Sequence, residues 1–158
     1  MTRRHLLNAV IVAAVAVLAG GIASADISKN VIAAFRGQLV VTKGELPEGK
    51  NDKETIAKIK AAKLSEVQGA VNGDVKQWVF NYAAFLNKSG STSAKLEFWK
   101  DGKKYAADKS LSGVDPKSAL LTGEITIDED EGVAAGSSYL LKLVAGSTVL
   151  ATTTLVMK

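Results

Sequence analysis

The chain has 158 residues, 47% of them hydrophobic and 23% charged, with no cysteine and a single histidine, His5. Without cysteine there are no disulfides, thiolate nucleophiles or thiolate metal ligands, and with its histidine so near the start the rest of the chain has no imidazole for acid–base or metal chemistry. The formal net charge of +4 comes mainly from lysine, and because bidentate phosphate recognition favours arginine, nucleic acid is not an expected partner.

Residues 1–25 have the three parts of a secretory signal peptide in order. Arg3 and Arg4 form the positive start, Leu6 to Ala19 is an apolar run interrupted only by Asn8, and Ala23-Ser24-Ala25 supplies the small-x-small cleavage pattern. Cleavage after Ala25 makes Asp26 the first mature residue and places the protein in the periplasm or outside the cell, most simply of a bacterium. The apolar run is shorter than the roughly 20 residues that span a bilayer and ends in Gly20 and Gly21. Membrane association is therefore expected only through an uncleaved leader. Thr2 to Leu7 also resembles a twin-arginine signal, but nothing downstream looks cofactor-binding, so the general secretory route is expected. The remaining 133 residues, 26–158, are the size of one domain, and losing Arg3 and Arg4 lowers their net charge to +2.

Phe35 to Val41, ending in Leu39-Val40-Val41, reads as an early strand. A short helical insertion near residues 52–63 follows, with Asn51 as its cap and Glu54 three positions on. Lys50, Lys53, Lys58, Lys60 and Lys63 make that segment basic, but Asp52, Glu54 and Glu66 dilute the charge, so a solvated helix face is expected rather than an anion-binding one. Leu64 to Val71 is compatible with helix or strand. Gln77 to Leu86 alternates as a strand, with Trp78, Phe80, Tyr82 and Leu86 on one face and Val79, Asn81 and Phe85 on the other.

After a loop at residues 87–93, Lys95 to Trp99 alternates again, with Leu96 and Phe98 opposite Lys95, Glu97 and Trp99. Asp101-Gly102 then marks a hairpin, because a type I′ turn needs positive φ at both central residues. Lys104 to Ala107 returns as a strand, and Ser110 to Lys117 is rich in turn residues. Gly123 to Asp128 points Ile125 and Ile127 inward. Tyr139 to Ala145 and Thr148 to Met157 form a closing hairpin around Gly146-Ser147. In its last strand Val149, Ala151, Leu155 and Met157 share a face, and Leu155-Val156-Met157 presents an apolar edge open to strand exchange.

Short strands with frequent turns predict an all-β, antiparallel sandwich. The segment Val133 to Val144 (VAAGSSYLLKLV), a Gly-rich turn leading into a Tyr-headed strand, resembles immunoglobulin-like and fibronectin type III-like domains. The resemblance covers about the last third of the chain and departs from immunoglobulin domains in lacking the cysteine pair. It implies an Ig-like β-sandwich in which Tyr139 is a tyrosine-corner residue with its hydroxyl bonded to the backbone, and it implies no particular activity.

Two constellations bear on function. Trp99 shares a face with charged residues, and Tyr105 lies across the Asp101-Gly102 turn, so Trp99, Asp101 and Tyr105 are the candidate ligand-binding residues, a flat platform for a polysaccharide or a partner protein. Asp128, Asp130 and Glu131, beside Gly132, are the candidate metal residues for Ca²⁺, although the EF-hand spacing fails. The alternatives weighed are thus a non-enzymatic binding or structural module, a Ca²⁺-dependent adhesion module, and a small hydrolase using paired carboxylates. The last requires an acid with a raised pKa in a cleft. No catalytic residue and no cofactor is expected.

Overall fold

Among the described residues, 27–158, the computed structural model contains nine strands, two α-helices and one 3₁₀ turn. The leader expected from sequence, with Ala23 and Ala25, lies outside the described residues. Helix α1 (Lys29–Phe35) begins where the Ser28 hydroxyl accepts from the Val31 N–H. Helix α2 (Asp52–Ala62) begins where the Asn51 side chain accepts from the Glu54 N–H at 2.9 Å, the cap read from sequence. The Glu54 carboxylate reaches back to the Lys50 N–H at 3.0 Å, one residue before the usual capping-box partner. Asp52 accepts from the Ser28 hydroxyl at 2.7 Å and the Asn30 side chain at 2.8 Å, which ties the starts of the two helices together.

The early strand is shorter than the sequence suggests. Phe35 ends α1, and β1 is Leu39–Thr42. Val31 and Phe35, four residues apart, fall on one helical face, a spacing masked by the β-forming run that follows. Residues 64–71, open to either reading, contain β2 (Glu66–Val67) and the start of β3 (Ala70–Asn72).

The four-stranded sheet is built on β4 (Val75–Phe85). Along one edge β4 pairs antiparallel with β7 (Leu120–Asp128), setting Tyr82 opposite Gly123 and Trp78 opposite Ile127. Its other edge carries β3 near one end and β1 near the other. The five-stranded sheet has the order β2, β9 (Thr148–Met157), β8 (Ser137–Ala145), β5 (Ser93–Lys100), β6 (Lys104–Ser112). Its neighbours are antiparallel except β2 and β9, which run parallel.

Alternation along β4 explains the layering. Trp78, Phe80, Tyr82 and Ala84 meet Leu96, Phe98, Tyr139, Leu141 and Leu155 in a core shared by the two sheets. Ala83 and Phe85 on the opposite face meet Val31, Phe35, Val40 and Ile59 in a second core beneath the helices. The expectation of an all-β sandwich with a helical insertion is therefore corrected in part: the protein is mostly β, with two sheets, and the helices form a third layer. β1 is apolar at consecutive positions because both its faces are covered.

Tyr139 is fully buried, its hydroxyl accepts from the Ala134 N–H at 2.8 Å, and its ring stands edge-on to Phe98 at 6.4 Å. Two expectations for β9 are corrected. Its edge is covered, because the Thr152, Val156 and Lys158 N–H groups donate to the carbonyls of Gly37, Ser65 and Val67. Val149 is half exposed, because the register shifts between Leu143 and Val144 and breaks the alternation.

Candidate functional site

On β5, Ala94, Leu96 and Phe98 point into the core, which leaves Lys95, Glu97 and Trp99 on the outer face of the five-stranded sheet. Pairing sets Glu97 between Asp108 and Lys142, and Trp99 between Tyr105 and Leu140. A register shift at Phe98/Trp99 places one extra β6 residue there and brings Tyr105 onto Trp99. The Asp101-Gly102 turn that joins the strands has φ of 51° and 68°, and the Lys103 N–H donates to the Lys100 carbonyl at 3.0 Å, as a type I′ turn requires.

Trp99 is half-buried. Its indole N–H donates to the Glu97 carboxylate at 2.8 Å, and the Lys142 ammonium lies 4.0 Å from its ring centroid. The Tyr105 ring stands 5.7 Å away at 80° and its hydroxyl donates to Asp108 at 2.6 Å, while Lys95 pairs with the same carboxylate at 3.3 Å. The bond from Tyr105, aided by Lys95 and opposed by slight desolvation, holds the Asp108 carboxyl below its usual range, and the same bond raises the Tyr105 phenol.

The flat platform expected from sequence is thus corrected to a ridged surface. The rings are perpendicular because an aromatic edge prefers an aromatic face, and a cation covers part of the indole. Trp99 and Tyr105 are brought together. Asp101 is not brought into contact with them: it sits exposed at the turn tip, with its N–H donating to the Ser138 carbonyl at 2.9 Å. Lys142 and Asp108 complete the cluster and escaped the sequence reading. Lys142 between Leu141 and Leu143 is outward by alternation, but the strand that receives it depends on pairing.

The candidate metal residues lie at the end of β7 and in the 3₁₀ turn Glu129–Glu131. Asp128 accepts from the Gln77 side chain at 2.7 Å, and Glu131 accepts from the Asp128 N–H at 2.9 Å and pairs with Lys109. Burial, which raises the Glu131 carboxyl, is outweighed by the bonds from Lys109 and the Asp128 N–H, so its pKa is lowered. Asp130 is exposed. The Asp128 and Glu131 carboxylates are engaged separately, and among the described residues no three Asp, Glu, His or Cys side chains gather as metal donors. Millimolar Ca²⁺ is accordingly expected to leave the melting midpoint unchanged; a rise of several degrees would establish a cation site here.

Among the described residues no Asp or Glu is buried, and the carboxyl groups with shifted pKa (Asp52, Glu54, Asp108 and Glu131) are all lowered. The raised general acid that a glycoside hydrolase needs is not among them. The shifts set a pH profile. Carboxyls lowered by folding stabilise the protein above their ordinary values of 3.8 and 4.5, and that contribution is lost as pH falls through the lower folded values. Burial raises the Tyr82 phenol above 10.0, so its contribution is complete below that pH and is lost as pH rises through the higher folded value. A melting midpoint that is flat near neutrality and falls on both sides is expected from calorimetry across pH. A midpoint that rises on acidification below the carboxyl range would contradict the assignment.

The chain matches no protein-family model and is similar to no curated protein.

Proposed function

We propose that this chain is an exported, non-enzymatic binding module with an Ig-like β-sandwich at its centre, recognising a protein or polysaccharide in the periplasm or outside the cell. The leader pattern at residues 1–25 supports export. The Gly-rich turn ahead of Tyr139, together with the Tyr139–Ala134 bond, supports the Ig-like reading.

The observation that carries the binding function is the Trp99–Tyr105 pair on a sheet face that no other layer of the described residues covers, ringed by Glu97, Asp108 and Lys142. An aromatic pair inside a rim of paired charges is the composition of an interface hot spot: the rings supply area at little entropic cost, and the charges orient the partner. Asp101 stands at the rim on the turn tip.

Co-sedimentation of the purified mature protein with cell-envelope fractions tests this. Trp99→Ala combined with Tyr105→Ala is expected to lower retention at least ~10-fold, the effect of losing one hot-spot residue or more, while the protein stays folded. Equal retention of the double variant would remove the face from consideration.

A further inference from the structure

Among the described residues, the backbone joins the two sheets along one side. There Gly37 and Ser65 meet β9, whereas β6 pairs only with β5 and β7 only with β4. The seam between the outer edges of β6 and β7 is plugged at one end, where Lys109 pairs with Glu131 and Val133 is buried. At its other end the seam opens into a cleft of about 340 Å³, bounded by Leu111, Ser112 and Asp115 on one side and by Leu121 and Thr122 on the other. That volume lies at the small end of ligand pockets.

Tyr82 lies at the base of the cleft. It is only 6% exposed, and its hydroxyl has no hydrogen-bond partner among the described residues. That hydroxyl opens to the cleft, whereas the polar groups of Trp78, Ser89 and Tyr139 are bonded within the protein. Gly123, across the strand pair, makes the arrangement possible. A Cβ there would lie 3.0 Å from the Tyr82 ring and 3.1 Å from its hydroxyl oxygen, so glycine gives the phenol room to lie close across β7.

The lining specifies the ligand. Leu111 and Leu121 offer aliphatic surface, Ser112 and Thr122 offer hydroxyls, and Asp115 is a carboxylate with no cation beside it in the cleft. Anions are repelled, and a wholly apolar molecule would leave the phenol unpaired. A compound that alternates C–H faces with hydroxyls satisfies every group. We propose that this cleft binds a short neutral saccharide, with the Tyr82 hydroxyl as its hydrogen-bonding partner at the base. The site is separate from the Trp99 face and does not depend on it.

The test is an amide NMR titration of the mature protein with maltose, cellobiose, lactose and diacetylchitobiose, each taken to roughly tenfold above a millimolar Kd. At least one sugar is expected to shift amides in residues 110–122 while leaving the Trp99 indole signal in place. Tyr82→Phe is expected to weaken that binding roughly tenfold with the spectrum otherwise preserved, as losing one hydrogen bond to the ligand implies. Thr122→Arg, at an exposed position, is expected to block the mouth and abolish binding. The proposal is overturned if no sugar in the panel shifts these amides, if shifts are confined to the Trp99 face, or if both variants bind as well as the wild type. It is also overturned if an extended Ser/Val peptide occupies the seam where the sugars do not, since that result would assign strand addition to the free edges.

Discussion

Replacing Trp78 with alanine is expected to cost about 3–5 kcal/mol of stability, the range for removing a large buried aromatic ring. The Trp78 side chain is wholly buried between the sheets, and its indole N–H donates to the Lys158 carbonyl at 2.9 Å. That bond spans almost the whole β region and pins the last residue against β4. The Gly69 N–H donates to the same carbonyl, and a Cβ on Gly69 would fall 2.8 Å from the indole nitrogen, so the β2–β3 link is moulded to this ring. The substitution therefore opens a cavity, removes one of the two hydrogen bonds to the Lys158 carbonyl and loosens the strand that covers the β9 edge.

Against a total stability of roughly 5–15 kcal/mol, such a loss leaves little margin. The urea midpoint should fall steeply at constant slope. Trp99→Ala is the control. Its ring is half-buried on the outer face, and an exposed cation–π contact contributes only about 0.5–1 kcal/mol, so its midpoint should move much less. Equal losses from the two substitutions would refute the assignment of Trp78 as core and Trp99 as surface.

Phe35→Ala is expected to have the second largest effect, again about 3–5 kcal/mol, with a different signature. Phe35 is buried and its ring lies 5.0 Å from that of Phe85. It joins α1 to β4 in the helical core, which shares no side chain with the core between the sheets. The helices have few other anchors: Val31, Val40 and Ile59 in the same core, and the Asp52 bonds to Ser28 and Asn30. Losing Phe35 should release α1 and α2, residues 29–35 and 52–62, before the sheets unfold. Hydrogen exchange should show protection lost there first, with the β4 and β8 amides still protected. Uniform loss of protection across the chain would mean that the helical layer and the sheets form one cooperative unit.

Phe35 also shows how sequence reading went astray. The eye groups it with Leu39-Val40-Val41 because the run is apolar and β-branched, but Ser28 caps a helix there and Val31 and Phe35 share its face. The cap and the four-residue spacing are local signals, and the β-prone neighbours outweighed them. Asn51 with Glu54 was legible because capping is decided within four residues. The Asp101-Gly102 turn was legible because positive φ is a property of single residues.

The candidate site was half legible. Alternation alone put Trp99 outward and Phe98 inward, and the hairpin turn put Tyr105 nearby. The angle between the rings, Lys142 above the indole and Asp108 beneath the phenol depend on a β6 register shift and on the pairing of β5 with β8. Neither is encoded within one segment. The acidic run of residues 128–131 was equally visible, but its Asp128 and Glu131 carboxylates are used by Gln77, Lys109 and a backbone N–H, partners distant in sequence for the two side chains.

By itself, then, the sequence determined the β-rich class, most strand faces, the helix cap, the turn and the absence of imidazole and thiol beyond the leader pattern. These follow from single-residue conformational preference and from a two-residue period, both short-range. Tertiary structure alone decided that the helices form a layer, that β9 is covered while β6 and β7 are not, and that Tyr82 faces a cleft across Gly123. Those outcomes rest on which segments pair and in what register, a choice made by the burial of whole faces at once.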